Sequence, residues 1–337
     1  KEVAEHLTIE VSNLQPWIDE FVPGAGKINS IEQFKGGQSN PTYKIVTESK
    51  NLVLRRKPPG KLLPSAHAVD REYKVITALY ETDVPVPKTY GLCEEDDVAG
   101  TAFFVMDFLD GDLFWDPMIP SLSNQDRTEI YQNKNKTLAL LHGVDYKKIG
   151  LEDYGKPGNY VARQVSRWSK QYRASETDDI EAMNNLIDWL PKNIPDDDET
   201  SIVHGDYRLD NMILKNNQVM GILDWELSTL GHPIADFSYH CLSWRTQEAF
   251  WDQAKLKELG VPSEKEYMDM YCENTGKDLS KNWEFYMAFN MFKIAGILQG
   301  ILGRVRDGTA SSKHAEDRGM MVYPLSEAAW KTIENNF

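Results

Sequence analysis

Hydrophobic and polar positions along the chain switch repeatedly between helical and strand period. Leu14, Trp17, Ile18 and Phe21 share one face at helical spacing, so an amphipathic helix that Pro23-Gly24 ends is expected first. Short runs of β type follow at 28–34, 42–47 and 52–56. Alternation in the third puts Val53 and Arg55 on one face. Pro58-Pro59-Gly60 breaks that strand, and a helical stripe of Val69, Tyr73, Ile76 and Leu79 then predicts a helix over 66–80, with Glu72 off the stripe. Segments 88–93 and 101–108 read as strands around an acidic turn at 94–97. Helices are expected after that, at 125–141, 161–172, 180–190, 234–244, 248–259, 263–272, 283–302 and 322–333, with 308–318 a polar and mobile connector.

One stretch interrupts the helical half. Apolar Ile202-Val203 leads into His204-Gly205-Asp206; Asn211 comes five residues after Asp206; two apolar runs then flank the turn 215–218 and deliver Asp224. A strand, loop and hairpin with a polar group at each junction suits two chemical needs. One carboxylate can meet a substrate proton, and an amide oxygen with a second carboxylate can meet a hard cation. Taken singly, His-Gly-Asp is an ordinary capped turn and Asp224 could simply open a helix. The ordered set is more specific, because it continues into LSTLGHPIADFSYH at 227–240.

This set resembles the catalytic loop and metal-binding segment of the aminoglycoside phosphotransferase and choline kinase group. It is closest to a subgroup found alone in bacteria or fused to acyl-CoA dehydrogenases. The resemblance implies an α+β, two-lobed, protein-kinase-like fold, with a small β-rich nucleotide-binding lobe at 1–107 and a larger, mainly helical catalytic and substrate-binding lobe at 108–337. It also implies ATP and Mg²⁺ held in the cleft. Protein kinases write the same parts as HRDxxxxN and a strand ending in Asp-Phe-Gly; here they read HGDxxxxN and Ile222-Leu223-Asp224-Trp225-Glu226. Asp206 is then implied as the base, Asn211 and Asp224 as metal ligands, and His204 and Asp236 as braces of the loop. Trp225 and Glu226 either border the metal or only pack.

Candidate nucleotide contacts lie upstream. Glycines in Gly36-Gly37-Gln38-Ser39-Asn40 let backbone N–H groups close over a phosphate, which makes Gly36, Gly37 and Ser39 candidates. Their spacing is not that of the protein-kinase loop, and a plain hairpin turn is the alternative. The family places a basic residue, commonly Lys, in the third strand; this chain offers Arg55, with Arg56 and Lys57 as rivals, and Glu72 as its helix partner. Backbone groups from Asp107 to Leu109 resemble the interlobe hinge that meets an adenine edge. His142 reads as a helix-end residue and not as a catalyst.

Composition narrows the classes. The 337 residues carry a formal net charge of −15, so nucleic acid and anionic membranes are poor general partners. Three scattered cysteines suit a reducing cytoplasm and no disulfide framework. No signal peptide is recognised, and 283–302, interrupted by Glu284, Asn290, Lys293 and Gln299, is expected as a buried helix. Oligomeric state is left open.

The expected activity is phosphorylation of a small-molecule hydroxyl. An aminoglycoside or amino-alcohol acceptor would need an acidic pocket, whereas the positive charge at Arg55, Arg56, Lys57 and Lys61, with the resemblance, suggests a hydroxyacyl-CoA. A catalytically silent nucleotide-binding regulatory module is the alternative from another class, opposed by the presence of Asp206, Asn211 and Asp224. A hydrolase using His204 and Asp206 is poorer still: the two are too close in sequence for a relay, and no nucleophile elbow is present.

Overall fold

The computed structural model describes residues 8–35, 40–62, 66–310 and 313–337. In chain order its elements are α1 (Val11–Phe21), β1 (Ile28–Gln33), β2 (Thr42–Thr47), β3 (Asn51–Arg56), α2 (Val69–Leu79), β4 (Thr89–Cys93), α3 (Asp96–Ala99) and β5 (Phe103–Asp107). Then come α4 (Asn124–His142), α5 (Tyr160–Ser175), α6 (Glu181–Trp189), β6 (Ser201–Val203), β7 (Met212–Lys215), β8 (Gln218–Ile222) and β9 (Thr229–Gly231). The chain closes with α7 (Pro233–Cys241), α8 (Ser243–Thr246), α9 (Gln253–Leu259), α10 (Glu264–Thr275), α11 (Trp283–Arg306), α12 (Ala315–Gly319) and α13 (Val322–Asn336).

These form two compact units, each assembled from separate stretches of chain. One takes residues up to 119 with 145–154 and 208–228, and the other takes 120–144, 155–207 and 229–337. The first holds a five-stranded antiparallel sheet of order β1-β2-β3-β5-β4. The apolar stripe of α1 seals one face: Leu14, Trp17 and Ile18 are buried with Ile45, Leu52, Leu54, Phe103 and Val105. The β7–β8 hairpin belongs here although it lies far along the chain, because Ile222 N–H donates to Pro85 O (2.9 Å) and Asp112 and Leu214 exchange backbone bonds (2.7 and 2.8 Å).

The second unit is helical around α11. By length and composition α11 could cross a membrane, with a mean hydropathy of 1.3, yet 72% of that window is buried inside the protein. It packs on α5, where a side chain at Gly296 would come within 3.5 Å of the Trp168 ring, and it also meets α7 and α13.

Three expectations change. The acidic turn at 94–97 runs into α3, whose Ala99 is buried and whose end is capped by Gly100 at φ 85°. The connector at 308–318 contains α12, held because Ala315 and Gly319 are buried and Gly319 lies against Leu302 of α11. The expected helix 248–259 splits into a 3₁₀ turn at Glu248–Phe250 and α9. Strand β9, three residues paired with β6, was too short to show a period.

Candidate active site

In the second unit β6 is wholly buried and delivers His204 at its end. Gly205 sits at φ 90°, a region that only glycine enters freely, and this bend turns Asp206 away from the strand. The GHPIAD segment explains how the bend is held. His232 caps α7, its Nδ1 accepting from Ile234 N–H at 3.1 Å, and Pro233 takes the first helical turn, where its missing N–H costs nothing. The first turn thereby presents Asp236 to the loop. Its Oδ2 accepts from His204 N–H (3.0 Å) and its Oδ1 from Gly205 N–H (2.9 Å). His142 Nε2 adds a third bond to Oδ2 at 2.8 Å, and His142 Nδ1 meets the Tyr271 hydroxyl at 2.7 Å. Burial works to raise the Asp236 pKa, but the bonds from His142 and His204 outweigh it and hold the carboxyl below its ordinary value.

The residues beside Asp206 are anchored as well. Its backbone N–H donates to His204 Nδ1 at 3.1 Å. The next residue, Tyr207, has its carbonyl within 2.7 Å of His240 Nδ1 and donates its hydroxyl to Lys134 O at 2.6 Å. Burial pulls the His240 pKa down to about 3, so that ring is neutral at pH 7 and its second nitrogen meets the Tyr267 hydroxyl.

In the first unit the hairpin register sets Met212 opposite Ile222, and Leu223 N–H donates to Asn211 O at 2.8 Å. Asn211 and Asp224 are therefore brought to the same end of the hairpin. Asp224 is non-glycine at φ 59°, a left-handed conformation that such residues adopt only where the surroundings require it. Its Oδ1 accepts from Arg55 Nη2 at 2.9 Å, while Arg55 Nε donates to Glu72 Oε2 at 3.1 Å. Arg55 and Glu72 are buried, and Asn40 Nδ2 donates to the same Glu72 oxygen at 3.1 Å. Burial pushes Glu72 up to about 7 against the pull of Arg55, with Asp224 and Glu226 adding to the rise.

The candidates can now be placed. Arg55 joins Glu72 and Asp224, whereas Arg56 faces the opposite side, bonding to Ala99 O and, at 2.9 Å, to the Tyr43 hydroxyl. Lys57 borders a recess with Asp70, Glu94 and Asp96. The guanidiniums of Arg55 and Arg56 are thus engaged within this unit; formal charge along a strand does not distinguish a paired guanidinium from a free one. Asp107 is tied to Lys88 O and to the Tyr90 hydroxyl, and Phe108 N–H to Asn51 O. Leu109 N–H meets no partner among the described residues, and the Leu109 side chain covers Gly221 so closely that a Cβ there would have to displace it. Trp225 packs, buried and donating to Ile222 O at 3.0 Å, while Glu226 is exposed. Gly36, Gly37 and Ser39 lie outside the described residues.

This placement carries a first expected result. Arg55→Ala weakens MgATP binding more than Arg56→Ala, because only Arg55 reaches Asp224, and titration calorimetry on both variants checks the order. A larger loss in Arg56→Ala would mean that the nucleotide is met on the other face of β3.

Residues 30–271 match the model of the phosphotransferase enzyme family. The chain belongs to that family. It is 45% identical to acyl-CoA dehydrogenase family member 10 of Mus musculus over 305 residues, 88% of this chain and 28% of that relative. The chain spans less than half the length of the curated relatives it matches. A Ralstonia eutropha crystal structure named for the aminoglycoside phosphotransferases is 48% identical, with a TM-score of 0.90 over 98% of this chain and 100% of that one. The phosphotransferase APH(4)-Ia, solved with ADP and hygromycin B, aligns over 95% of this chain and 98% of its own with a TM-score of 0.63. At 12% identity that likeness speaks for the protein-kinase-like fold alone. Family membership makes the chain a phosphotransferase, built on the protein-kinase-like fold of these neighbours.

Several residues of this arrangement escaped the sequence reading. His142 is the helix end expected of it, the last residue of α4, but its buried link from Asp236 to Tyr271 left no signal beyond its place after the apolar run 138–141. Lys134, Tyr207 and His240 left no spacing signal, since their partners lie on other elements.

Proposed function

We propose that the chain uses ATP and Mg²⁺ to phosphorylate the hydroxyl of a hydroxyacyl-CoA, with Asp206 as base and Asn211 and Asp224 on the metal. The observation that carries the base assignment is the anchoring of the backbone on both sides of Asp206 by buried bonds to Asp236 and His240. Phosphoryl transfer asks the protein mainly for positioning and charge neutralisation, which a rigid carboxylate supplies. Asp206 orients the acceptor hydroxyl and takes its proton as that oxygen bonds to the γ-phosphorus. The bond from the γ-phosphorus to the bridging oxygen breaks, its electron pair leaves with ADP, and the proton passes from Asp206 to water.

The donor set fits Mg²⁺. Asn211 and Asp224 offer hard oxygens, and Asp224 Oδ2 has no partner among the described residues. No described cluster of three or more His, Cys, Asp or Glu competes as a cage, consistent with an ion that binds through one or two side chains plus phosphates and water. Bound there, Mg²⁺ neutralises charge on the phosphates. Arg55, held by Glu72, is the basic group on the same carboxylate. Support for the acceptor comes from the relatives, which are named as acyl-CoA dehydrogenase family members.

MgATP is expected to raise the melting temperature, and ATP with chelator to raise it much less. A ligand that binds only the native state stabilises by about 2.7 kcal/mol at a hundredfold excess over its Kd. Asp224→Asn should abolish most of the metal dependence. A melting curve unmoved by millimolar MgATP would overturn the proposal.

A further inference from the structure

In a chain with a net charge of −15, helix α5 is an exception: Arg163, Arg167, Lys170 and Arg173 lie on it and no acidic residue does. Its buried face is Val161, Val165, Trp168 and Tyr172. Arg163, Arg167 and Lys170 recur at helical spacing on another face, where with Ala162, Ser166 and Gln171 they line a shallow recess of about 630 Å³. Arg173 is engaged by Glu176 and Asn184, and Arg163 donates to Gly158 O and Lys156 O. Arg167 and Lys170 have no carboxylate partner among the described residues.

A second element adds a cation on the same side. Lys293 of α11 lies one turn before Gly296, which abuts Trp168, the neighbour of Arg167. It is half-buried, its ammonium 4.9 Å from the centroid of the Tyr239 ring, and no described carboxylate is within ion-pair distance. Burial lowers its pKa; Asp236 and Asp206 act to raise it and Arg167 to lower it, so Lys293, Arg167 and Asp206 sit within electrostatic reach of one another. A cation kept only to balance Asp206 would sit in contact with it. Lys293 does not, and a half-buried cation without a counter-ion is costly unless an anion arrives.

We propose that Arg163, Arg167 and Lys170 of α5, with Lys293 of α11, form the acceptor subsite and take the phosphate groups of a phosphorylated alcohol. The proposal deepens the hydroxyacyl-CoA reading and rests on it for the placement of the reacting hydroxyl beside Asp206. Phosphate and diphosphate oxygens suit guanidinium groups, which can hold two at once. A polycationic aminoglycoside or an amino alcohol would meet repulsion at the same surface.

The test is titration calorimetry of the full chain, with the nucleotide site saturated by MgADP, against coenzyme A and against pantetheine, which lacks its phosphates. Coenzyme A is expected to bind, more weakly as salt rises, and pantetheine not measurably. The double variant Arg167→Glu, Lys170→Glu should weaken coenzyme A binding by about tenfold or more, the size of lost charge-assisted contacts. Arg167→Lys, which keeps the charge but loses the two-pronged geometry, should weaken binding less than the double charge reversal does. Equal binding of coenzyme A and pantetheine, or no effect of charge reversal in a variant with the parental melting temperature, overturns the proposal. ADP release with a hydroxyacyl-CoA is measured separately. No turnover with coenzyme A binding intact would remove the kinase reading and leave the anion site standing.

Discussion

Asp206→Asn is expected to lower turnover by about 10²–10⁴-fold, or about 3–5 kcal/mol of transition-state stabilisation, the usual contribution of a general base. The fold and the affinity for MgATP should be close to those of the parent. Anchoring of the loop supports that separation. The loop is held through its backbone, by the N–H groups of His204, Gly205 and Asp206 and by the Tyr207 carbonyl, and Asn at 206 leaves those bonds in place. Asn keeps the shape and removes the basic oxygen. A capping role would produce the opposite pattern, a small loss of stability with activity within a few-fold. A hydrolase would release phosphate from substrate without any nucleotide. Melting temperature, MgATP affinity and ADP production on one preparation separate these cases, and full turnover with an unchanged KM would refute the base assignment.

Much of the first unit was legible because its signals are local. Strand alternation separated Arg55 from Arg56, and the two guanidiniums do face opposite sides, one toward Glu72 and Asp224, the other toward Tyr43. Glu72 is matched through the resemblance, which pairs a helix Glu with the basic residue of the strand; it lies on the buried face of α2 with Val69, Val75, Ile76 and Leu79, not off it, and a carboxylate buried there needs a partner. The spacing from His204 through Asp224 was readable because a hairpin fixes its own register.

What stayed hidden depends on partners distant in sequence. His142 and Asp236 are 94 residues apart, and nothing near either predicts that they bond. Positive charge was misjudged in both directions. Arg55 and Arg56 looked available and are engaged internally, while Arg167 and Lys293, on helices far apart in the chain, never stood out as a pair. Short elements such as β9 and α12 are set by tertiary packing instead of by their own periodicity.

Asp236→Ala is expected to destabilise the second unit by about 3–5 kcal/mol, the range found when one partner of a buried charged network is removed. Asp236 is buried and accepts from His142 Nε2, His204 N–H and Gly205 N–H. Alanine would remove the acceptor that all three donors share at the point where Asp206 is positioned, so activity should fall along with stability. Asp236→Asn keeps one acceptor oxygen and should lose less. The pH dependence follows in sign. The folded carboxyl is held below its ordinary value of 3.8, so its contribution is fully present above that pH and is lost as pH falls through the folded value. The stability gap between parent and alanine variant, followed by urea denaturation, should therefore be wide and flat near neutrality and close only in strong acid. A gap under about 1 kcal/mol at neutral pH, the size of a single neutral hydrogen bond, would mean that the loop is held without Asp236.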